Sequence, residues 1–436
     1  MGVTFVIFFI KKLLTKMKIS NIIQLSINGK RSIMIIELRG SNSKKYKDYK
    51  SVFNFIRSYK SVSKSRLEEM TGLKLTTLNR AVNWLLQREI ICADESGESS
   101  GGRKPLLFSI NPKAGYMIGI DISRLYTRIA LLDMNCNVIR SNVFGMSEKS
   151  TPDVILQKIY DAVLNFCADI QKDKVLGIGI GVVGPIEREK GIIRNPENFP
   201  AKGWKDIPLK ELLESKTGFK VIVESGANAA VFGEFCNGYG KEFNSMAYII
   251  SGVGLRLGMI SNGKLVNNIR GNEGELGHIT VDIDGVPCSC GNRGCLEMYT
   301  STNAILKAFI NELIKGKTSF VAEKLHYDIS AINLDNFCEA VRENDETAVA
   351  IVKNAAHYFS AGIANIINIA KPELVILGGA FIKKCDLFYH LSTEMALQKL
   401  QRYSSIKVKF SKGELEENAV LVGAANLMLD YFLGKS

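Results

Sequence analysis

Between Glu273 and Glu297 the chain reads EGELGHITVDIDGVPCSCGNRGCLE, and no other stretch restricts its fold as tightly. It holds three of the nine cysteines and one of the four histidines. His278, Cys288, Cys290 and Cys295 are separated by nine, one and four residues. Three thiolates and one imidazole complete a tetrahedral set for Zn2+, with no position left for water or substrate. A closed site of that kind is structural, and it would pin a loop with too little apolar content to hold its own shape. Three unrelated thiols and a core histidine are the plainer alternative. That alternative leaves Pro287, Gly291 and Gly294 unexplained, which supply tight turns between the candidate ligands.

At 436 residues the chain is long enough for two or three domains. Its 46% apolar content suits an ordinary globular protein with a large core. Cysteines arranged for metal, not for a disulfide scaffold, point to a reducing, cytoplasmic setting. No run of about 18 apolar residues is present, so no membrane span is expected. The apolar run Val3–Ile10 is followed, not preceded, by basic residues, the wrong order for a secretory signal.

The net charge of +12 becomes informative once it is located. Residues 1–111 carry 20 Lys or Arg against 8 Asp or Glu, whereas residues 112–436 carry 36 of each. The whole excess therefore lies in the first quarter of the chain. A solvated basic face would explain it, and so would a nucleic-acid-binding module on a neutral body.

The pattern from Tyr46 to Ser109 favours the module. Val52, Phe53, Phe55 and Ile56 form the apolar stripe of a first helix. Lys64–Met70 reads as a second helix, ended at Thr71-Gly72 by a glycine suited to a left-handed turn. Lys74–Gln87 reads as a third, with Leu75, Leu78, Val82, Leu85 and Leu86 facing the core. Lys74, Thr76, Thr77 and Arg80 are then placed to meet DNA, and at about 100° per residue Thr76, Thr77 and Arg80 face outward, as groove-reading residues must. Ile90–Ala93 and Leu106–Ile110 can pair around a Gly-rich loop, where Arg103 and Lys104 would meet phosphate or a minor groove. This is a winged helix-turn-helix over residues 44–112; a protein-binding winged helix is the competing reading. Residues 1–43 form an N-terminal extension, of which 1–33 lack periodicity and read as an over-extended start ahead of Met34.

From Tyr116 onward apolar strands alternate with helical patterns, the mark of an α/β architecture. Strands are expected at Met117–Asp121, Ile129–Asp133, Val175–Val183, Val221–Glu224, Ala247–Ile250 and Leu374–Leu377. The run Glu275, Gly277, His278, Cys288, Cys290, Gly291, Gly294, Cys295 and Glu297 resembles the signature of the ROK family of repressors, uncharacterised reading frames and sugar kinases. The resemblance extends over nearly all of residues 45–430, through Gly184-Pro185, ANAAVFGEF at 227–235, Asn262 to Leu265, Gly378-Gly379-Ala380 and Gly423-Ala424-Ala425. It implies a two-lobed actin-like (ribonuclease-H-like) body over residues 113–436, with ligand in the cleft. The Gly-Gly-Arg-Lys-Pro wing is similar to the family's transcriptional-repressor branch, the xylose-type and N-acetylglucosamine-type repressors.

The same resemblance allows a test for catalysis. Family kinases carry Asp-x-Gly-Gly-Thr in a first hairpin, where this chain has Asp121-Ile122-Ser123-Arg124-Leu125. A second loop, Gly-Thr-Gly-Ile-Gly-x-Gly, is here Gly252-Val253-Gly254-Leu255-Arg256-Leu257-Gly258. The base, the Asp of Glu-Asn-Asp-Ala-Asn, is replaced by Gly226 in Glu224-Ser225-Gly226-Ala227-Asn228, and glycine cannot accept a proton. Glu275, His278 and Glu297, with Asn198, match positions that the family uses for sugar hydroxyls; Glu275 and Glu297 could equally orient the zinc loop. The expected protein is thus no enzyme. It is a regulator that binds operator DNA, holds Zn2+, senses a carbohydrate or its phosphate, and forms a homodimer or homotetramer. An active kinase with an accessory DNA-binding domain, and a regulator answering to a protein partner, are the alternatives.

Overall fold

The computed structural model describes residues 38, 43–94, 106–267, 273–400 and 407–434. The first helices are α1 (Lys44–Tyr59), α2 (Lys64–Thr71) and α3 (Leu75–Gln87). Helix α2 starts on Ser63, whose hydroxyl accepts the Arg66 N–H, and stops where Gly72 adopts φ 62°. Strands β1 (Val62–Ser63), β2 (Ile91–Asp94) and β3 (Leu107–Ile110) form a small antiparallel sheet in the order β1-β3-β2. Three helices and this sheet make the expected winged helix.

Leu78, Val82 and Leu85 are buried on α3 as the spacing predicts, joined by Ala81 and Trp84. Leu75 is the exception, at 48% exposure. It is the first residue of the helix and precedes the turn that packs on α1, so the predicted core contact fails there. The expected wing residues Arg103 and Lys104, most of the Gly40–Ser43 element and residues 1–33 lie outside the described residues.

Two five-stranded sheets form the body. The first contains β4 (Tyr116–Ile122), β5 (Tyr126–Asp133), β6 (Val138–Gly145), β7 (Val175–Val182) and β11 (Val221–Ser225) in the order β11-β7-β4-β5-β6. The second contains β12 (Met246–Ser251), β13 (Leu255–Ser261), β14 (Lys264–Leu265), β15 (Leu374–Gly378) and β16 (Lys409–Ser411) in the order β14-β13-β12-β15-β16. Read from the meander outward, both follow one plan. Three strands run antiparallel and two further strands add in parallel to the first of them. The shared plan makes the body a duplicated, actin-like pair of lobes. Between β7 and β11 in sequence, short strands β8 (Ile186–Glu187), β9 (Ile192–Ile193) and β10 (Ile207–Pro208) form a small antiparallel sheet packed on the first lobe.

Helices α4 (Pro152–Cys167), α5 (Leu209–Thr217) and α6 (Gly226–Asn237) belong to the first half. The second adds α7 (Glu297–Thr300), α8 (Thr302–Ile314), α9 (Phe320–Lys324), α10 (Leu334–Arg342), α11 (Glu346–Ala370), α12 (Ala380–Lys384) and α13 (Asp386–Lys399). The last helix, α14 (Ala419–Phe432), returns to the first lobe and is apolar on nearly every side. It lies so close to α6 that a Cβ on Gly423 would sit 1.6 Å from the Ala229 carbonyl oxygen, which only glycine allows.

The winged helix has no separate core. Leu38, Tyr49, Phe53, Ile56 and Leu85 share one apolar cluster with Met117, Leu132, Leu176, Leu421, Met428 and Phe432 of the body. A polar clasp reinforces this junction. Arg57 on α1 donates to Asp430 at 2.6 Å and also to Asn426, both on α14. Burial opposes the Arg57 charge, yet Asp430, together with Cys236 and Cys136, holds the guanidinium above its ordinary range. No described helix is long and apolar enough to cross a membrane.

Candidate functional site

The cysteine-rich stretch folds as a loop between the second lobe's sheet and α7. Its turns are made where glycine spacing predicts: Gly291 has φ 91° and Gly294 φ 65°. A Cβ on Gly294 would lie 1.6 Å from the Asp282 carbonyl oxygen, so that position admits no other residue. Backbone bonds from Cys288 to Asn292 (2.8 Å) and Gly294 to Val286 (2.9 Å) close the loop.

His278, Cys288, Cys290 and Cys295 converge there, with ligand atoms all within 4.8 Å of one another. His278 Nδ1 is 3.7 Å from Cys288 Sγ, and Cys290 Sγ is 3.6 Å from Cys295 Sγ. Zinc–sulfur and zinc–nitrogen bonds of about 2.3 and 2.0 Å place tetrahedral neighbours about 3.5–3.8 Å apart. The spacing therefore fits such an ion, and all four predicted ligands belong to one cluster able to hold a metal. Nδ1 faces the thiols, while Nε2 lies 3.7 Å from Glu275 Oε2 on the cleft side.

Beside this loop a cavity opens between the lobes, walled by the β4–β5 turn, the β12–β13 turn and the start of α6. The β4–β5 turn is where a kinase would offer glycine N–H groups to phosphate. Here Ser123 Oγ takes the N–H groups of Leu125 (3.4 Å) and Tyr126 (3.2 Å) for itself. In the second turn Gly252 N donates to Gly254 O at 3.2 Å, and Leu255 N donates to Glu297 Oε2 at 2.9 Å. Four of the N–H groups in these two loops are thus already engaged within the protein. Gly226 is the first residue of α6, capped by Ser225 Oγ, which accepts the Asn228 N–H. No carboxylate stands at that point.

Glu275 lines the cavity and is ion-paired with Arg256. Glu297 reaches its edge from α7: a Cβ on Gly254 would be 2.9 Å from Glu297 Oε2 and 3.1 Å from Arg124 Nη1. Asn198, expected here, is exposed and is not part of the cavity wall. Its neighbour Glu197 points inward instead, accepting Arg124 Nε on its carbonyl at 2.7 Å and Ser289 Oγ on its carboxylate at 2.7 Å. The positive φ of 57° at Asn198 turns it outward while Glu197 faces the metal loop.

Sequence reasoning treated Arg124 and Arg256 only as losses and missed that they meet the carboxylates. It also missed a tetrad at the base of α6. Arg188 donates to Glu224 at 2.7 Å and also to Glu273, while Asn228 Nδ2 reaches Glu224 at 3.2 Å and Glu273 at 2.8 Å. Its partners lie as far as 85 residues apart, so no local spacing announces them. Asp121, on β4, is buried, and that burial pushes its carboxyl up to about 7, against the pull of Arg128.

In the winged helix, Lys74 at the N-cap of α3 and Thr76 and Arg80 on it face solvent, whereas Thr77, expected to face outward, is half-buried. A winged helix set on a duplicated actin-like body, with a His/Cys3 loop at its cleft, defines a two-part protein in which a sugar-kinase architecture carries a winged-helix module. Residues 117–431 match the ROK family, and the chain belongs to it. It is 30% identical to the xylose repressor of Bacillus subtilis (strain 168) over 85% of this chain and 92% of that one. Its fold matches the crystal structure of a ROK family transcriptional regulator, a homologue of the E. coli MLC protein, with TM-score 0.73 over 90% of this chain and 98% of that chain at 23% identity. It also matches a ROK family glucokinase from Streptomyces griseus in complex with glucose and AMPPNP, with TM-score 0.62 over 72% of this chain and 99% of that chain at 26% identity.

Proposed function

We propose that the protein is a DNA-binding transcriptional repressor of carbohydrate-utilisation genes, whose catalytically inactive ROK body senses a carbohydrate. The observation that carries this reading is the continuous core joining the winged helix to the cleft through α14. That helix touches the cavity at Val420 and clasps α1 at Asn426 and Asp430. A ligand that binds one lobe arrangement better than another would thereby bias the placement of α3. The xylose-repressor relatives support the choice of carbohydrate genes. Gly226 in place of a base, and a first turn whose Leu125 and Tyr126 N–H groups are taken by Ser123, argue against phosphoryl transfer.

His278, Cys288, Cys290 and Cys295 would hold one Zn2+ per chain, which would stiffen the loop carrying Glu275 and Glu297. Lys74, Thr76, Thr77 and Arg80 would meet DNA from α3, and Arg103 and Lys104 from the wing. A homodimer or homotetramer in the cytoplasm would present paired recognition helices to a palindromic operator. The test is binding of the purified chain to DNA from its own promoter region at several salt concentrations. The account expects steep salt dependence on all DNA, with Thr77→Ala and Arg80→Ala reducing preference for the operator over random sequence. Equal binding of operator and random DNA by the unaltered protein would contradict it, as would sugar-dependent ATP consumption.

A further inference from the structure

The two arginines that displace the phosphate loops carry a second message. Arg256, on β13, is paired with Glu275, and Arg124, at the β4–β5 turn, faces Glu297 across Gly254. Burial holds both guanidinium groups below their ordinary range, Glu297 offsets part of that, and Arg256 adds to the effect on Arg124. The two cations therefore share one small space, with Glu275, Glu297 and Glu197 set around them, so that guanidinium donors stand beside carboxylate acceptors.

A hydroxyl group both donates and accepts. Placed between a guanidinium and a carboxylate, it takes an N–H from one and gives its O–H to the other, and the charge balance is unchanged. A phosphate can only accept, and it would add negative charge beside Glu275 and Glu297. The helix start at Gly226 would favour an anion, but Ser225 Oγ already takes the Asn228 N–H there, and the Glu224 carboxylate, accepting the Ser225 N–H at 2.7 Å, lies beside it to oppose a second negative charge.

We propose that Arg124 and Arg256 are effector-binding residues that select an uncharged monosaccharide and reject its phosphorylated form. The inference rests on the reading of the cleft as the effector site and narrows its ligand class. Arg124 and Arg256 donate to sugar oxygens and stand in for contacts that an Asn-Asp pair would make at Ser225 and Gly226. Glu275 and Glu297 accept from the same hydroxyls.

Isothermal calorimetry on the full chain tests this with a panel of neutral pentoses and hexoses, their phosphates, and inorganic phosphate alone. The unaltered protein should bind one or more neutral sugars and bind the corresponding phosphate at least about tenfold more weakly. Arg256→Gln and Arg124→Gln should each weaken the neutral sugar by about tenfold or more, since each removes a charged donor. Glu275→Gln leaves Arg256 unanswered, and should gain affinity for the sugar phosphate while losing it for the neutral sugar. Thermal melting of each variant separates lost contacts from lost folding, and either arginine variant suffices if the other does not fold. A phosphate that binds as tightly as its parent sugar overturns the inference, as do arginine variants with undiminished sugar affinity; both leave the sensing role standing. If no compound binds the folded, operator-competent protein, the sensing role falls as well.

Discussion

The two lobes share one strand plan but have been put to different uses. In the second lobe, the loop after the meander is fixed by a His/Cys3 cluster and delivers Glu275 and Glu297 to the cleft. In the first lobe, the matching wall is built differently: Ser123 Oγ takes the Leu125 and Tyr126 N–H groups, Arg124 stands in that turn, and the residue opening α6 is Gly226. The first lobe is instead the one that grips the winged helix, through α14 and Arg57. One half brings the metal-type cluster and its neighbouring carboxylates to the cleft; the other half carries the connection to the winged helix.

The sharpest way to break the comparison is to remove the staple of the second lobe. Cys295→Ser should abolish stoichiometric zinc and lower the melting temperature strongly, because losing a structural metal is a folding loss; such sites are worth about 10 kcal/mol or more in isolated zinc-finger peptides. Metal analysis and calorimetric melting check it, and a variant that melts like the parent would remove the metal from the account.

The next largest effect belongs to the first lobe. Arg57→Met removes the guanidinium that donates to Asp430 and to Oδ1 of the fully buried Asn426. Breaking such a pair from one side costs about 3–5 kcal/mol, read by urea denaturation followed in both domains. The two domains should then unfold in separate steps, since α1 and α14 lose their clasp. A single cooperative transition at unchanged midpoint would show that the apolar cluster alone couples them.

A smaller effect tests the idle phosphate wall. Asp121 keeps its proton in the fold up to about 7, well above the range of an unfolded carboxyl. Its stabilising contribution is therefore complete at low pH, below the unfolded value, and is lost as pH rises through 7. Asp121→Asn should remove that loss, so the variant should gain on the parent between about pH 4 and 7, and level off above that, when their denaturation midpoints are compared. Parallel curves would mean that Asp121 is ionised in the fold.

Much of this was legible in the residues. Strands β4, β5, β7, β11, β12 and β15 announce themselves as apolar runs, and the metal cluster by spacing and glycine. Other parts were hidden for physical reasons. Val138–Gly145 is an edge strand with most side chains in water, so no apolar alternation marks it. Helix α14 is buried nearly all round, and its run AVLVGAANLMLDYF has no polar face to reveal a period. Leu75 reads as a core position by spacing, yet the helix begins there and the chain turns it outward. The pairs Arg256–Glu275 and Arg57–Asp430 join residues 19 and 373 positions apart, and only the fold brings them together.

The central claim is that the cleft and the winged helix belong to one switch. Fluorescence anisotropy of labelled operator DNA, titrated with the full-length protein at fixed salt with and without a panel of neutral monosaccharides, tests it most directly. The account predicts that at least one sugar weakens operator binding by about tenfold or more, a differential affinity of about 1.4 kcal/mol. Operator binding that no sugar alters, in protein whose cleft calorimetry shows to be occupied by sugar, would contradict it.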